Sequence, residues 1–167
     1  QRGRIRGALA VGTAAPLDAA GSDLVASVIA LASIALEQSR TVESARRQLR
    51  SGLLELLLAG VIDVAGRTAQ RLGGRLPEAP VRVAVLAQPV EGQSLLDELD
   101  LLAGGDAGRV FVAERDVEVV AVVGADDGQS LERVLARHGM RVGLSAPIEW
   151  DELPRGLTEA RQAASRT

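Results

Sequence analysis

Residues 109–124, RVFVAERDVEVVAVVG, decide the fold. Two apolar, β-branched runs flank Arg115 and Asp116, and a spacer that short closes only as a tight turn, so the stretch predicts a β-hairpin. On its N-terminal side stand a strand pattern, VRVAVLAQ at 81–88, and a helix pattern, GQSLLDELDLLAGG at 92–105, with Leu95, Leu96, Leu99 and Leu102 on one face. On its C-terminal side the chain reads GQSLERVLARHG at 128–139 as a helix and MRVGLSAP at 140–147 as a strand. WDELPRGLTEARQAAS at 150–165 is the final helix, with Asp151 near its start. The order is β-α-β-β-α-β-α. Its first six elements form the split β-α-β arrangement of ferredoxin-like domains, an α+β fold with an antiparallel sheet and helices on one face.

Further out, Arg4 to Val11 reads as a half-buried strand, followed by the turn-rich GTAAPLDAAGSD at 12–23. Ser22 or Asp23 is placed to cap the helix beginning there, since a short side-chain oxygen accepts from its free N–H groups. From Ser22 to about Ile62 there is no proline, and the pattern predicts one long helix or two nearly collinear ones, about 60 Å if unbroken. Leu24, Val28, Leu31, Ala35, Gln38, Val42, Ala45 and Leu49 recur at alternating four- and three-residue spacing. That spacing fits a coiled-coil seam, weakened by Gln and Ala. It fits equally an amphipathic helix lying on its own domain. Asp63 is placed to cap a short helix closed by Gly73 or Gly74, and GRLPEAP at 74–80 forms the connector to the first strand of the sheet.

The composition limits what such a chain does. It has 167 residues, enough for one domain with a full core but short for two. With 47% hydrophobic and 25% charged residues it is globular in character. The net charge is −3 with scattered arginines and no lysine, so no continuous basic face awaits a duplex. One Phe and one Trp cannot build the stacking platforms of single-strand or RNA binders. There is no cysteine, hence no disulfide or thiolate metal site. No uninterrupted apolar run approaches the roughly 20 residues that span a bilayer, so a cytoplasmic location without membrane contact is expected.

Three tracts carry a family resemblance: VIALASIALEQSRTVESARRQLRSGLLELLLAG at 28–60, RTAQRLGGRL at 67–76, and RVGLSAPIEWDELPRGLTEARQAAS at 141–165. Together they resemble bacterial transcription regulators of the PucR (CdaR-like) type, over essentially the whole chain. The resemblance implies the last strand and helix of a GAF-like sensory domain at 1–40, linker helices at 41–76 and a degenerate GGDEF-like domain at 77–167. A DNA-binding helix-turn-helix is implied beyond Thr167, which makes the chain a piece of a longer protein.

In active cyclases of the GGDEF class the signature sits on the hairpin turn, where glycines admit GTP and a carboxylate helps hold metals. By the resemblance Arg115, Asp116, Val117, Glu118 and Val119 occupy those five positions, and only the Glu survives. Side chains at Arg115 and Asp116 fill space that phosphate approach requires. The end of the first strand, Leu86-Ala87-Gln88-Pro89, lacks the second metal-holding acid. Nor does an Arg-x-x-Asp pair stand before the hairpin, where active cyclases often bind product. Gly104-Gly105-Asp106, which spells the signature's opening, falls at a helix end and reads as a glycine stop with a loop aspartate.

Other residues are weighed against simpler readings. Gly143-Leu144-Ser145-Ala146-Pro147 lacks the last glycine of a nucleophile elbow, so Ser145 reads as structural. His138, the only histidine, sits before Gly139 at a helix C-terminus without a partner motif. Asp126-Asp127-Gly128 reads as a turn and helix cap, with no calcium-ligand series behind it. Trp150 reads as a staple of the last helix to the sheet.

The expected function is therefore non-enzymatic. No catalytic, cofactor or metal residue is assigned. The chain is expected to dimerise, or form a higher oligomer, along Leu24, Val28, Leu31, Ala35, Val42 and Leu49, and to pass a signal from the sensory part to DNA-binding domains outside it. An unidentified small-molecule effector acts on the sensor, and DNA is met only through the missing C-terminal domain. The alternative is a degenerate core that binds a nucleotide or metabolite as effector, with Glu118 and Arg115 as the residues for it.

Overall fold

A computed structural model describes residues 18–86, 93–105, 109–140 and 142–166. The chain divides into two compact units, Gln1–Ala45 and Arg46–Thr167. The strand expected at residues 4–11 lies outside the described residues.

One unbroken helix, α1 (Ala19–Leu58), runs for 40 residues or about 60 Å. It starts a turn earlier than Ser22 or Asp23. Asp18 is the cap, its Oδ1 accepting from the Gly21 N–H at 2.7 Å. Ser22 and Asp23 fall inside the helix because Ala19 and Ala20 are strong helix formers that extend it backwards. Within the first unit the apolar side chains of α1 are exposed, Leu24 by 66% and Leu31 by 68%. An 18-residue window of α1 has a mean hydropathy of 1.8, so by length and composition it is able to cross a bilayer. A count of uninterrupted apolar runs does not register this window. Single Ser residues break a run while hardly lowering a window average, and a helix covered by protein has the same composition.

The second unit contains the end of α1, α2 (Ile62–Arg71), β1 (Val81–Leu86), α3 (Gln93–Gly105), β2 (Val110–Arg115), β3 (Glu118–Gly124), α4 (Gln129–Arg137), β4 (Gly143–Leu144) and α5 (Leu153–Arg166). The hairpin forms as its sequence predicts, β2 pairing antiparallel with β3 from Val110↔Val123 to Arg115↔Glu118. The sheet order is β2-β3-β1-β4, with every pairing antiparallel. This is the α+β architecture expected, a long N-terminal helix followed by a ferredoxin-like sheet domain.

The helix cover differs from expectation, because both faces of the sheet are buried. Ala84, Leu86, Val110, Val112, Val119, Ala121 and Val123 pack with α3 and α4 through Leu95, Leu99, Leu131 and Leu135. The opposite face, Val81, Val83, Val85, Phe111, Ala113, Val120 and Val122, packs with Leu53, Leu54 and Leu57 of α1, Ala65 and Ala69 of α2, and Leu153, Leu157 and Ala160 of α5. Strands buried on both faces need apolar residues at odd and even positions alike, which is what VRVAVL and VVAVV supply.

Gly60 terminates α1. Its left-handed φ of 78° lets its N–H reach Leu57 O at 3.0 Å while the Val61 N–H reaches Leu56 O at 2.9 Å. Neither Asp63 nor the Asp126-Asp127 pair caps its helix. Val61 and Gly128 hold those N-cap positions without a side-chain hydrogen bond. The fourth strand is much shorter than MRVGLSAP suggests. Ser145 interrupts it, its Oγ taking the Val83 N–H at 2.9 Å in place of a backbone carbonyl, and antiparallel pairing resumes at Val81↔Ile148. Gly143 lets α5 lie directly on β4, since a Cβ there would collide with the carbonyl oxygen of Ala160.

Two outcomes are expected in thermal and urea melts. Removing residues 1–45 leaves a cooperative fold. Removing residues 1–58 deletes three buried leucines worth about 2 kcal/mol each, a loss comparable to the lower end of a domain's usual 5–15 kcal/mol, uncovers one sheet face and abolishes the transition. Gly143→Ala destabilises by about 1–3 kcal/mol through overpacking, with β4 and α5 losing amide protection first.

Candidate functional site

The hairpin turn is the place to test for nucleotide chemistry, and its geometry follows from register. Arg115 and Glu118 are directly opposed, the last pair of the β2–β3 ladder. Both carry the parity of Phe111, Ala113, Val120 and Val122, so they project from the face covered by α1 and α5. Asp116 in the turn adopts a left-handed φ of 55°, which aspartate tolerates better than most residues.

Each of the two residues already has an internal partner. The Arg115 Nε donates to Glu55 Oε1 of α1 at 2.7 Å. On the other side, Arg161 of α5 clasps Glu118, its Nε donating to Oε1 at 2.8 Å and Oε2 at 3.2 Å and its Nη2 also reaching Oε1. Charges of alternating sign, Glu55, Arg115, Glu118 and Arg161, thus run across the hairpin end from α1 to α5. Hydrogen bonding to Glu118 holds the Arg161 guanidinium above its ordinary pKa, against a smaller opposing effect of burial, with further support from the charges of Glu118 and Asp116. Glu118 is only 16% exposed, so a ligand would have to displace Arg161 to reach this carboxylate.

The remainder of a cyclase-like site is not assembled from described residues. Leu86 at the end of β1 is fully buried, and Ala87, Gln88 and Pro89 lie outside the described residues, as does Asp106. Among the described residues no group of three or more His, Asp or Glu is arranged to hold a metal ion.

The other singled-out residues have local roles. Ser145 is the one buried polar residue described, and its hydroxyl also donates to Ala146 O at 2.7 Å, so it serves the sheet. His138 Nε2 stands 3.4 Å from Glu98 Oε2 at the end of α4. Trp150 packs on the α1/α5 side of the core and donates from Nε1 to Pro77 O at 3.1 Å, tying the start of the last helix to the connector. Asp127 lies 3.8 Å from Arg109. Leu24, Val28, Leu31, Ala35, Val42 and Leu49 are all exposed along α1.

Sequence reasoning missed one cluster. Arg47 and Arg50 of α1, one helical turn apart, both pair with Asp100 of α3, the first at 3.1 Å, and Arg47 also lies 3.8 Å from Glu114 of β2. These helices cover opposite faces of the sheet, so their ion pairs meet around the outer edge of β2 and close it. The sequence signal was faint, one of three acids in α3 and two arginines in a polar stretch.

A family model for the GGDEF-like domain matches residues 59–165. The HTH-type transcriptional repressor PhnF of Mycolicibacterium smegmatis is 36% identical over 115 residues, 65% of this chain and 43% of the relative. The chain thus spans less than half the length of that curated relative. No solved structure matches.

Because the Glu118–Arg161 pair is bidentate but partly open to water, its removal is expected to cost about 1 kcal/mol. Glu118→Gln and Arg161→Gln should each lower the urea midpoint, and the double variant should lower it by less than the sum. Additive losses would mean the pair contributes nothing.

Proposed function

The chain belongs to the GGDEF-like domain family, and from that premise we propose that it is the central, non-catalytic part of a transcription regulator of the PucR type. It dimerises through α1 and passes a signal from a sensory domain to DNA-binding domains outside this chain. Its place is the cytoplasm, and it meets DNA only through those domains. The likeness to a transcriptional repressor supports the regulatory part of this reading.

The observation that carries the proposal is the fate of the signature positions. Glu118 and Arg115, the residues that would meet a nucleotide, are both engaged by the helices that enter and leave the domain. What holds GTP in a cyclase here connects α1 to α5. A shift of α1 alters the Glu55–Arg115 and Arg47/Arg50–Asp100 contacts, and the hairpin end conveys it to Glu118 and Arg161 of the outgoing helix.

Dimerisation rests on the exposed stripe at Leu24, Val28, Leu31, Ala35, Val42 and Leu49. Side chains at alternating four- and three-residue spacing form one line along a helix and bury each other when a second helix packs alongside. At roughly 25 cal/mol per Å² of apolar surface removed from water, such a stripe gives a substantial drive to associate.

Light scattering over a concentration series is expected to give twice the protomer mass. Val28→Glu with Leu31→Glu should reduce it to one protomer without lowering the melting temperature of the second unit. A monomer at all concentrations overturns the dimer. Incubation with GTP and magnesium should yield no cyclic dinucleotide. Thermal stabilisation by GTP or a cyclic dinucleotide, lost in Glu118→Gln, would instead favour the effector-binding alternative.

A further inference from the structure

Within the first unit the seam of α1 contains one residue that an apolar partner would not satisfy. Two classes of position alternate along it. Val28, Ala35 and Val42 stand three residues before the next seam residue, and Leu24, Leu31, Gln38 and Ala45 stand four before it. All of them are exposed on one unbroken helix.

The content of the two classes indicates how a second helix lies on them. β-Branched residues in the first class combined with leucines in the second favour two parallel strands, and Val28, Val42, Leu24 and Leu31 follow that rule. Charge does not choose the direction, since the residues flanking the seam, Val25, Ser27, Ala32, Ile34, Ser39 and Thr41, carry none. Gln38 does choose it. Once a helix covers the seam, the Gln38 amide leaves water and needs both a donor and an acceptor. A second copy lying parallel and in register supplies both, because it sets an identical amide directly opposite. Reversing one helix exchanges the two classes, so Gln38 would then face a Val or Ala of the first class and its amide would stay unpaired. A slip of one heptad fails for the same reason, with Leu31 or Ala45 opposite.

Resting on the dimer reading above, we propose that the helix packed on α1 belongs to a second copy of this chain, parallel and in register, with Gln38 hydrogen-bonded to the partner's Gln38. The amide layer fixes direction and register at a cost in affinity. Parallel pairing carries both chains out of the seam at the same end, so a displacement of the helix pair reaches both copies alike.

The chain has no cysteine, so introduced cysteines report proximity between copies without background. The test uses the full chain carrying Val28→Cys or Ala45→Cys, mildly oxidised and resolved on non-reducing gels, with light scattering on the same samples before oxidation. A disulfide requires Cα atoms roughly 4.4–6.8 Å apart. In the parallel register each position meets itself, and both variants are expected to give the covalent dimer. The two positions lie about 25 Å apart along the helix, so an antiparallel pair brings at most one of them onto its own copy. Arg40→Cys, on the opposite side of the helix, controls for random collision and should not cross-link. Gln38→Leu is expected to tighten the dimer about tenfold and to lower the Ala45→Cys cross-link yield, as other arrangements become competitive. If a dimer forms in which either seam position fails to cross-link, the proposal is overturned while the dimer reading stands. A monomer at all concentrations removes both. Unchanged affinity in Gln38→Leu also overturns the proposal, since Gln38 then lies outside the seam.

Discussion

A four-stranded β-α-β-β-α-β sheet has two apolar faces, but its own crossover helices cover only one. In this protein α3 and α4 bury the first face, and the second would lie open to water without further helices. The cover comes from outside the repeat, from the last turns of α1, from α2 and from α5. Everything else depends on this requirement. The helix that enters the domain cannot be a passive tether when Leu53, Leu54 and Leu57 belong to the domain's core.

The same requirement sets where electrostatics can act. With α1 on one face and α3 on the other, Arg47 and Arg50 reach Asp100 around the β2 edge, closing the longer edge strand against stray pairing. The other edge is handled differently. There β4 keeps only two ladder residues, the Ser145 hydroxyl substitutes for a backbone partner, and a glycine brings α5 down onto the strand.

At the hairpin turn the charged residues are matched within the fold, Glu118 by Arg161 and Arg115 by Glu55. Neighbouring opposite charges satisfy one another at short range, which makes the turn a joint between two helices.

Local sequence alone determined the element order, the hairpin, the long helical run before the sheet and the α+β class, because turn chemistry, β-branched runs and helical periodicity act within a few residues. It also carried, unread, the sign that both sheet faces are buried: VAVL at 83–86 and VVAVV at 119–123 are continuously apolar where a half-solvated strand would alternate. Helix caps were less legible. Asp18, Ser22 and Asp23 are all competent, and Asp18 caps because two alanines behind it extend the helix. Which partner each charge takes was decided only by the tertiary structure. Glu118 and Arg161 are 43 residues apart, and Arg50 and Asp100 are 50 apart. No local pattern links residues so distant, and only the packing of α1 and α5 against one sheet face, with α3 on the other, brings them within reach.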